Sequence, residues 1–279
     1  MIIRCYGARG SIPVSGPEFL RYGGDTTCFE VRSQDDDIII IDAGSGIRRL
    51  GNKLLQEGRF RYTLFLTHSH WDHILGFPFF KPIYDARTSI SIRGCSEAQG
   101  DLKRILARAM SGPYFPVPFD TLAATITYED DCVLFYQVGP VAVWPIHLSH
   151  PNGGQGYRLV ENGKSFVFLT DNELGHRHRG GFPPEAYVEF AQGADLLIHD
   201  AEYTPAEYER TRTWGHSTYL QALEVAIQAQ VRRFGLYHHN QDRDDAGVDA
   251  ILHHCQQLVA ARRLDLDVFA VHQDLEIAL

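Results

Sequence analysis

The sequence predicts an α/β layered domain, and three observations carry that expectation. Short apolar runs rich in Ile, Val, Leu, Phe and Tyr alternate with stretches of helical periodicity along the chain. Gly, Pro, Asp and Asn cluster at the ends of the apolar runs, where strands give way to turns. The 279 residues are 44% hydrophobic, enough for a large core, and no repeat, linker or low-complexity tract divides them. One domain over 1–279 is therefore expected.

Taken in order, strands are expected at Ile2–Cys5, Phe29–Arg32, Asp37–Asp42 and Tyr62–Thr67, with a helix over Ile47–Glu57. A strand at Ser89–Arg93 and a helix at Gln99–Met110 follow. The run "MSGPYFPVPFDTL" at 110–122 breaks the rhythm with three prolines and three aromatics. It reads as a loop, either packed on the core or forming an active-site wall. Strands then fall at Val133–Gln137, Val141–Pro145, Tyr157–Val160 and Ser165–Thr170, a helix at Pro184–Ala191 and a strand at Asp195–His199. Helices at Pro205–Arg210 and Thr218–Ala229 precede the strand Arg233–Tyr237. In the second helix Ser217 and Thr218 are cap candidates, and Leu220, Leu223, Ala226 and Ile227 share one face. A long helix at Asp244–Arg263 and a strand at Asp267–Val271 complete the pattern.

The formal net charge of -9, with Lys and Arg dispersed, lacks the basic footprint of nucleic-acid binders. The five cysteines form no CxxC and no even-numbered framework, so they read as single thiols in a reducing compartment. The N-terminus runs straight into "MIIRCYGARG" without a basic-plus-apolar leader. No apolar run approaches the roughly 20 residues that span a bilayer. A cytoplasmic protein with no membrane partner is the expectation.

The densest chemistry lies in "LFLTHSHWDHILGF", where His68, His70, Asp72 and His73 fall within six positions at the end of a buried strand. Buried imidazoles and carboxylates each need a partner, so core packing does not account for them. His68 and His70 lie on one side of an extended segment, and Asp72 and His73 lie beyond it as the chain turns. Two metals suit that division better than one, because four ligands on a single tetrahedral ion leave no open position.

This HxHxDH resembles the metallo-β-lactamase superfamily, and further motifs follow in that family's order. "IIIIDAGSG" places Asp42 at a strand end, "HLSHPNGGQGYR" supplies His150, "FVFLTDNE" supplies Asp171, and "FGLYHHNQ" offers His238 or His239. The resemblance implies a four-layer αββα sandwich with its site along one edge of two sheets. It implies one metal on His68, His70 and His150, a second on Asp72, His73 and His238, and Asp171 bridging them. His238 is preferred over His239 because it directly follows the strand Arg233–Tyr237. Asp42 is implied as the residue that orients a ligating histidine. The donors suit two zinc ions, and also manganese or iron.

"TWGHST" at 213–218 and "LLIHDAEY" at 196–203 resemble the ribonuclease Z branch of that superfamily. The resemblance gives His216 a role at the scissile phosphate, with Asp200 orienting it and keeping it protonated. Asp72, His216 and Asp200 are thus the implied catalytic residues. A bridging hydroxide would attack the phosphorus, and His216 would serve the leaving oxygen or a phosphate oxygen. Ribonuclease Z carries a long arm between the motifs equivalent to His150 and Asp171, and here only twenty residues separate them. A small phosphodiester, such as a cyclic nucleotide, is therefore the expected substrate, ahead of RNA or a carboxylic ester, lactone or thioester. A homodimer is implied by analogy.

Other polar residues carry bland expectations. His147, His176, His178, His199, His253, His254 and His272 are read as outside the site. Arg9 and Arg21 in the N-terminal "GARGSIPVSGPEFLRYGG" could meet a phosphate, but surface arginines are the expected reading.

Overall fold

The computed structural model describes residues 1–95, 101–129 and 132–279. Two seven-stranded mixed sheets stack face to face with helices on their outer sides, the four-layer αββα arrangement. The first sheet draws on β1 (Ile2–Gly7), β2 (Cys28–Arg32), β3 (Ile38–Ile41), β4 (Arg61–Phe65), β5 (Ser89–Arg93) and β6 (Thr125–Glu129). The second draws on β7 (Tyr136–Val138), β8 (Val141–His147), β9 (Gln155–Glu161), β10 (Lys164–Leu169), β11 (Leu196–Asp200), β12 (Arg233–Tyr237) and β13 (Asp267–Ala270). The last strand, β14 (Glu276–Ala278), returns to the first sheet beside β1. Strand order is β14-β1-β2-β3-β4-β5-β6 in one sheet and β13-β12-β11-β10-β9-β8-β7 in the other. Within each, the strands on one side pair in parallel, β3 through β6 and β10 through β13, so their carboxyl ends point the same way. Those ends carry the polar residues of interest, as is common where parallel strands stop.

Inward-facing side chains of both sheets fill the central layer, where Phe29 packs against Phe168 and Tyr237 with ring centroids 5.1 and 5.4 Å apart. Outside the first sheet lie α1 (Ile47–Gln56) and, beyond β4 and β5, α2 (Trp71–Ile74) and α3 (Leu102–Ala109). Outside the second lie α4 (Pro184–Ala191), α5 (Pro205–Thr211), α6 (Tyr219–Gln228) and α7 (Asp245–Ala261). The apolar faces of α4, α6 and α7 cover Val167, Leu197, Phe234 and Leu236. The first two residues of the helix expected at Gln99–Met110 lie outside the described residues; from Leu102 to Ala109 the segment is helical.

The 110–122 run packs on the outer core. Phe77 stacks on Phe119 at 6.3 Å and Phe79 meets Phe115 edge-on, so this loop takes the packing role of its two readings. The cysteine expectation is corrected at one pair: Cys95, just past β5, and Cys132, ahead of β7, form a disulfide. They lie 37 residues apart, and only the return of the chain to the second sheet brings them together. Cys5, Cys28 and Cys255 are buried thiols. Among the described residues no helix is long and apolar enough to cross a membrane.

Candidate active site and metal centre

Every polar residue of the centre follows a strand. His68 lies three residues beyond β4, and His70 is the N-cap of α2, whose first turns carry Asp72 and His73. His150, Asp171 and His238 follow β8, β10 and β12. Asp42, Asp171 and His238 have left-handed backbones, with φ of 63°, 51° and 58°. Such residues cost free energy and persist where surrounding contacts fix them, which is characteristic of functional sites.

Two four-membered groups of donors converge there, and a third, Asp200, His216 and His238, adjoins them. His68, His70, His150 and Asp171 form one, and Asp72, His73, Asp171 and His238 the other, and within each group the ligand atoms lie within 4.8 Å of one another. Asp171 belongs to both. Its Oδ2 is 3.5 Å from His68 Nε2 and 3.8 Å from His150 Nε2, while its Oδ1 is 3.3 Å from His73 Nε2 and 3.4 Å from His238 Nε2. Asp72 Oδ2 is 3.2 Å from His73 Nε2 and 3.1 Å from His238 Nε2, and His70 Nδ1 is 3.0 Å from His150 Nε2.

This donor set fits divalent cations. Ligands about 2.0–2.2 Å from one ion at tetrahedral angles lie roughly 3.3–3.6 Å apart, close to the separations here. His68 Nε2 and His73 Nε2 are buried and make no hydrogen bond, although carboxylate oxygens lie nearby. The outer nitrogens are spoken for. Asp42 accepts from His73 Nδ1 at 2.7 Å, the Gly215 carbonyl from His150 Nδ1 at 2.9 Å, and Glu202 from His238 Nδ1 at 2.9 Å. Those bonds fix the tautomers and turn the Nε2 lone pairs inward.

The electrostatics divide along the same line. Burial pushes the His68 and His70 rings below the ordinary histidine range, and takes His150 to about 3, so this group offers neutral nitrogens. Burial opposes the charge on Asp171 and Asp72 as well, but the neighbouring histidines hold both well below the usual carboxylate range. In the second group burial again works against charge, yet Asp72 and Asp171 beside His73, and Asp171 with Glu202 beside His238, drive both rings upward. That anionic cage calls for positive charge, which a proton or a metal ion supplies.

His216 stands beside the two groups. Its Nδ1 lies 2.8 Å from Asp200 Oδ2, 3.4 Å from Glu202 Oε2 and 3.9 Å from Asp171 Oδ2, and its ring stacks on His238 at 4.6 Å. Burial lowers its basicity, but Glu202 and Asp200 outweigh that and raise its pKa to about 9. The sequence around it works as a unit: Ser217 donates to the Asn172 carbonyl, and Thr218 caps α6 in a box with Gln221. Gly215 has φ of 101° and lies so close to His150 that a Cβ would collide with the imidazole.

Of the paired histidines, His238 faces the cluster, whereas His239 Nε2 bonds the Val271 carbonyl at 2.7 Å. His178 pairs with Glu173, His199 with Asn172 and the Asp200 carbonyl, and His254 with Tyr219, all away from the two groups. Sequence reasoning missed Glu202, two residues past Asp200, which touches both His216 and His238. The alternation of β11 gave no sign of it, because the strand ends at Asp200. Arg9 corrects its surface reading. It is fully buried and donates to the carbonyls of Gly23, Asn240 and Arg243. Next to it, Gly10 is so close to the His238 ring that a Cβ there would collide, and Ser11 N–H donates to Asp72 Oδ2 at 2.9 Å. Arg21 is exposed and pairs with Asp249.

Two stacked sheets presenting paired histidine–carboxylate groups at their shared edge define a metal-dependent hydrolase. The model of the beta-lactamase superfamily domain matches residues 38–239, and the chain belongs to that family. Ribonuclease Z of Haloarcula marismortui is 26% identical over 252 residues, covering 74% of this chain and 78% of the relative. Ribonuclease Z of Haloferax volcanii is 27% identical over 253 residues, covering 74% and 76%. Among solved structures, the metallo-beta-lactamase fold protein YhfI from Bacillus subtilis superposes with a TM-score of 0.70 at 16% identity, covering 99% of this chain and 98% of that one, a likeness of fold.

Proposed function

We propose that this chain is a binuclear metal-dependent phosphodiesterase of ribonuclease Z type, with an RNA phosphodiester as substrate. The observation that carries the reading is Asp171, shared by two four-membered donor groups, with His216 at its side. The curated relatives move the choice of substrate from the small cyclic nucleotide towards RNA, since those matched along most of their length are ribonucleases.

His68, His70 and His150 would hold one ion, Asp72, His73 and His238 the other, with Asp171 common to both. Zinc is the proposed metal, and the same donors take manganese or iron. Two divalent ions held there would supply Lewis acidity at the phosphoryl oxygens and lower the pKa of water towards neutrality. Asp42 and Glu202 hold His73 and His238 in register. Asp200 and Glu202 orient His216, whose free Nε2–H is offered to a phosphate oxygen or to the departing alkoxide.

A second reading, a small or cyclic phosphodiester, is favoured by the hairpin between His150 and Asp171. There β9 and β10 are joined by a tight turn at Asn162–Gly163, with no arm to grip a folded RNA. A turnover screen of metal-loaded protein separates the readings. Its panel holds bis(p-nitrophenyl) phosphate, a precursor tRNA, single-stranded RNA, 2′,3′- and 3′,5′-cyclic nucleotides and a thioester. Cleavage of RNA is expected; cyclic nucleotides alone would select the second reading, and thioester turnover without any phosphodiester would overturn both.

A further inference from the structure

A cleft of about 780 Å³ opens beside His70 and His216, and α5 and the turn that follows it build part of its wall. Trp214 lines this cleft and is 62% exposed. Its backbone is held firmly: the buried Glu173 carboxylate accepts from Thr213 N–H at 2.7 Å and from Gly215 N–H at 2.8 Å, on either side of it. Tyr208 O–H donates to the same carboxylate at 2.6 Å, and Trp214 N–H donates to the Thr211 carbonyl at 3.0 Å. The indole stands mostly in water on a turn that backbone hydrogen bonds hold in place. It is a preorganised flat surface two residues from His216.

The charges of the cleft point the same way. Glu202 is engaged with His216, His238 and Asn240, Glu207 with Arg243 and its own helix cap, and Asp242 accepts from Gln241. Arg210 also lines the cleft, and among the described residues no carboxylate pairs with it. A free guanidinium and an open indole beside a phosphodiester site are the two elements that single-stranded nucleic acids use, one for backbone phosphate and one for a base.

We propose that Trp214 and Arg210 form a nucleotide subsite that takes the residue flanking the scissile bond of a linear oligonucleotide, the base stacked on Trp214 and its outer phosphate on Arg210. A cyclic mononucleotide has a single phosphate, so with that phosphate at the metal centre it has none left for Arg210. The inference rests on the phosphodiesterase reading and names the form of its substrate.

The test is equilibrium binding of metal-loaded protein to a fluorescein-labelled phosphorothioate hexaadenylate and to the same backbone without bases. Wild type is expected to bind the adenylate more tightly than the abasic strand. Trp214→Ala is expected to weaken adenylate binding about 5- to 150-fold and leave abasic binding unchanged, and Trp214→Phe to restore most of the loss. Arg210→Ala is expected to weaken both strands and flatten the salt dependence of binding. Equal loss of both strands in Trp214→Ala without rescue by Phe would mark a structural role and overturn the subsite, as would wild-type affinity in that variant. The two readings fail separately: base-dependent binding without turnover of any phosphodiester would sink the activity and keep the subsite. RNA turnover with an unaffected Trp214→Ala would do the reverse.

Discussion

His216 owes its position to three neighbours, Asp200, Glu202 and the His238 ring, and none of them depends on it for its own place in the fold. Removing the imidazole should therefore cost chemistry and spare the metal centre. His216→Ala is expected to lower phosphodiester turnover about 10²- to 10⁴-fold, with bound metal unchanged by elemental analysis; loss of metal would make His216 a ligand instead. Arg9 is the opposite case, a buried cation that serves the fold. Its guanidinium ties Gly23 in the N-terminal loop to Asn240 and Arg243 beyond His238. Burial lowers its pKa to about 10, with Asp245 acting in the other direction, so it stays charged at neutral pH. Arg9→Met takes this donor from the Gly23, Asn240 and Arg243 carbonyls, of which Asn240 keeps the Arg243 N–H, and is expected to cost at least about 2 kcal/mol in urea unfolding; a change within about 0.5 kcal/mol would show that the guanidinium does not tie these segments. The HxHxDH run was legible because six positions hold four ligands, three histidines and an aspartate. Arg9 and Glu202 were not, because nothing in a lone arginine or glutamate distinguishes burial from exposure until distant segments meet.

At the scale of elements, the strands that the sequence made plain are those with apolar runs buried on both faces. β3 is four isoleucines, and β10 reads Ser-Phe-Val-Phe-Leu after its first lysine. The missed ones lie at edges. In β6 exposed and half-buried residues alternate without a single buried one, and β14 has three residues, so neither carries enough apolar signal. A different device stiffens the first sheet. Glu30, buried in β2, takes Arg4 of β1 at 3.5 Å, Lys53 of α1 at 3.3 Å and a hydrogen bond from Tyr6 O–H at 3.1 Å, with Arg32 also paired to it. Burial opposes its charge, but Arg32, Lys53 and Arg4 prevail and hold the carboxyl below the usual glutamate range. Glu30→Gln is expected to destabilise by about 1–3 kcal/mol at neutral pH, since it removes the buried charge shared by Arg4, Arg32 and Lys53, although Arg4 keeps Glu276 and both Arg32 and Lys53 keep Glu57. A carboxyl whose pKa falls on folding adds stability that is fully present above its unfolded value and lost as pH drops through the folded one. The gap between wild type and variant should thus hold from pH 8 to 5 and narrow below about pH 4.3; a gap constant down to pH 2 would contradict it.

For the whole molecule, the centre is a joint between the two sheets. The run His68–His73 hangs from β4 of the first sheet, while His150, Asp171 and His238 hang from the second, and each of the two donor groups includes residues of both. The layered architecture was legible because strand and helix patterns alternate; the meeting of ligands 170 residues apart was visible only through the order of family motifs. The substrate was legible at neither level, because the proposed subsite on α5 and Trp214 has no signature in the sequence. Cations bound at such a joint favour the folded state by mass action, about 2.7 kcal/mol for an ion at a hundred times its dissociation constant. Without them, the like charges of Asp72, Asp171 and Glu202 face one another across the joint, relieved by protons on His73, His238 and His216. Chelation is expected to lower the melting temperature on the order of 10 °C, restored by adding zinc, as followed by scanning calorimetry. Asp171→Asn weakens the one donor common to both groups, so its melting temperature should respond far less to added zinc. Identical melting of chelated and zinc-loaded wild type would separate metal from the joint altogether.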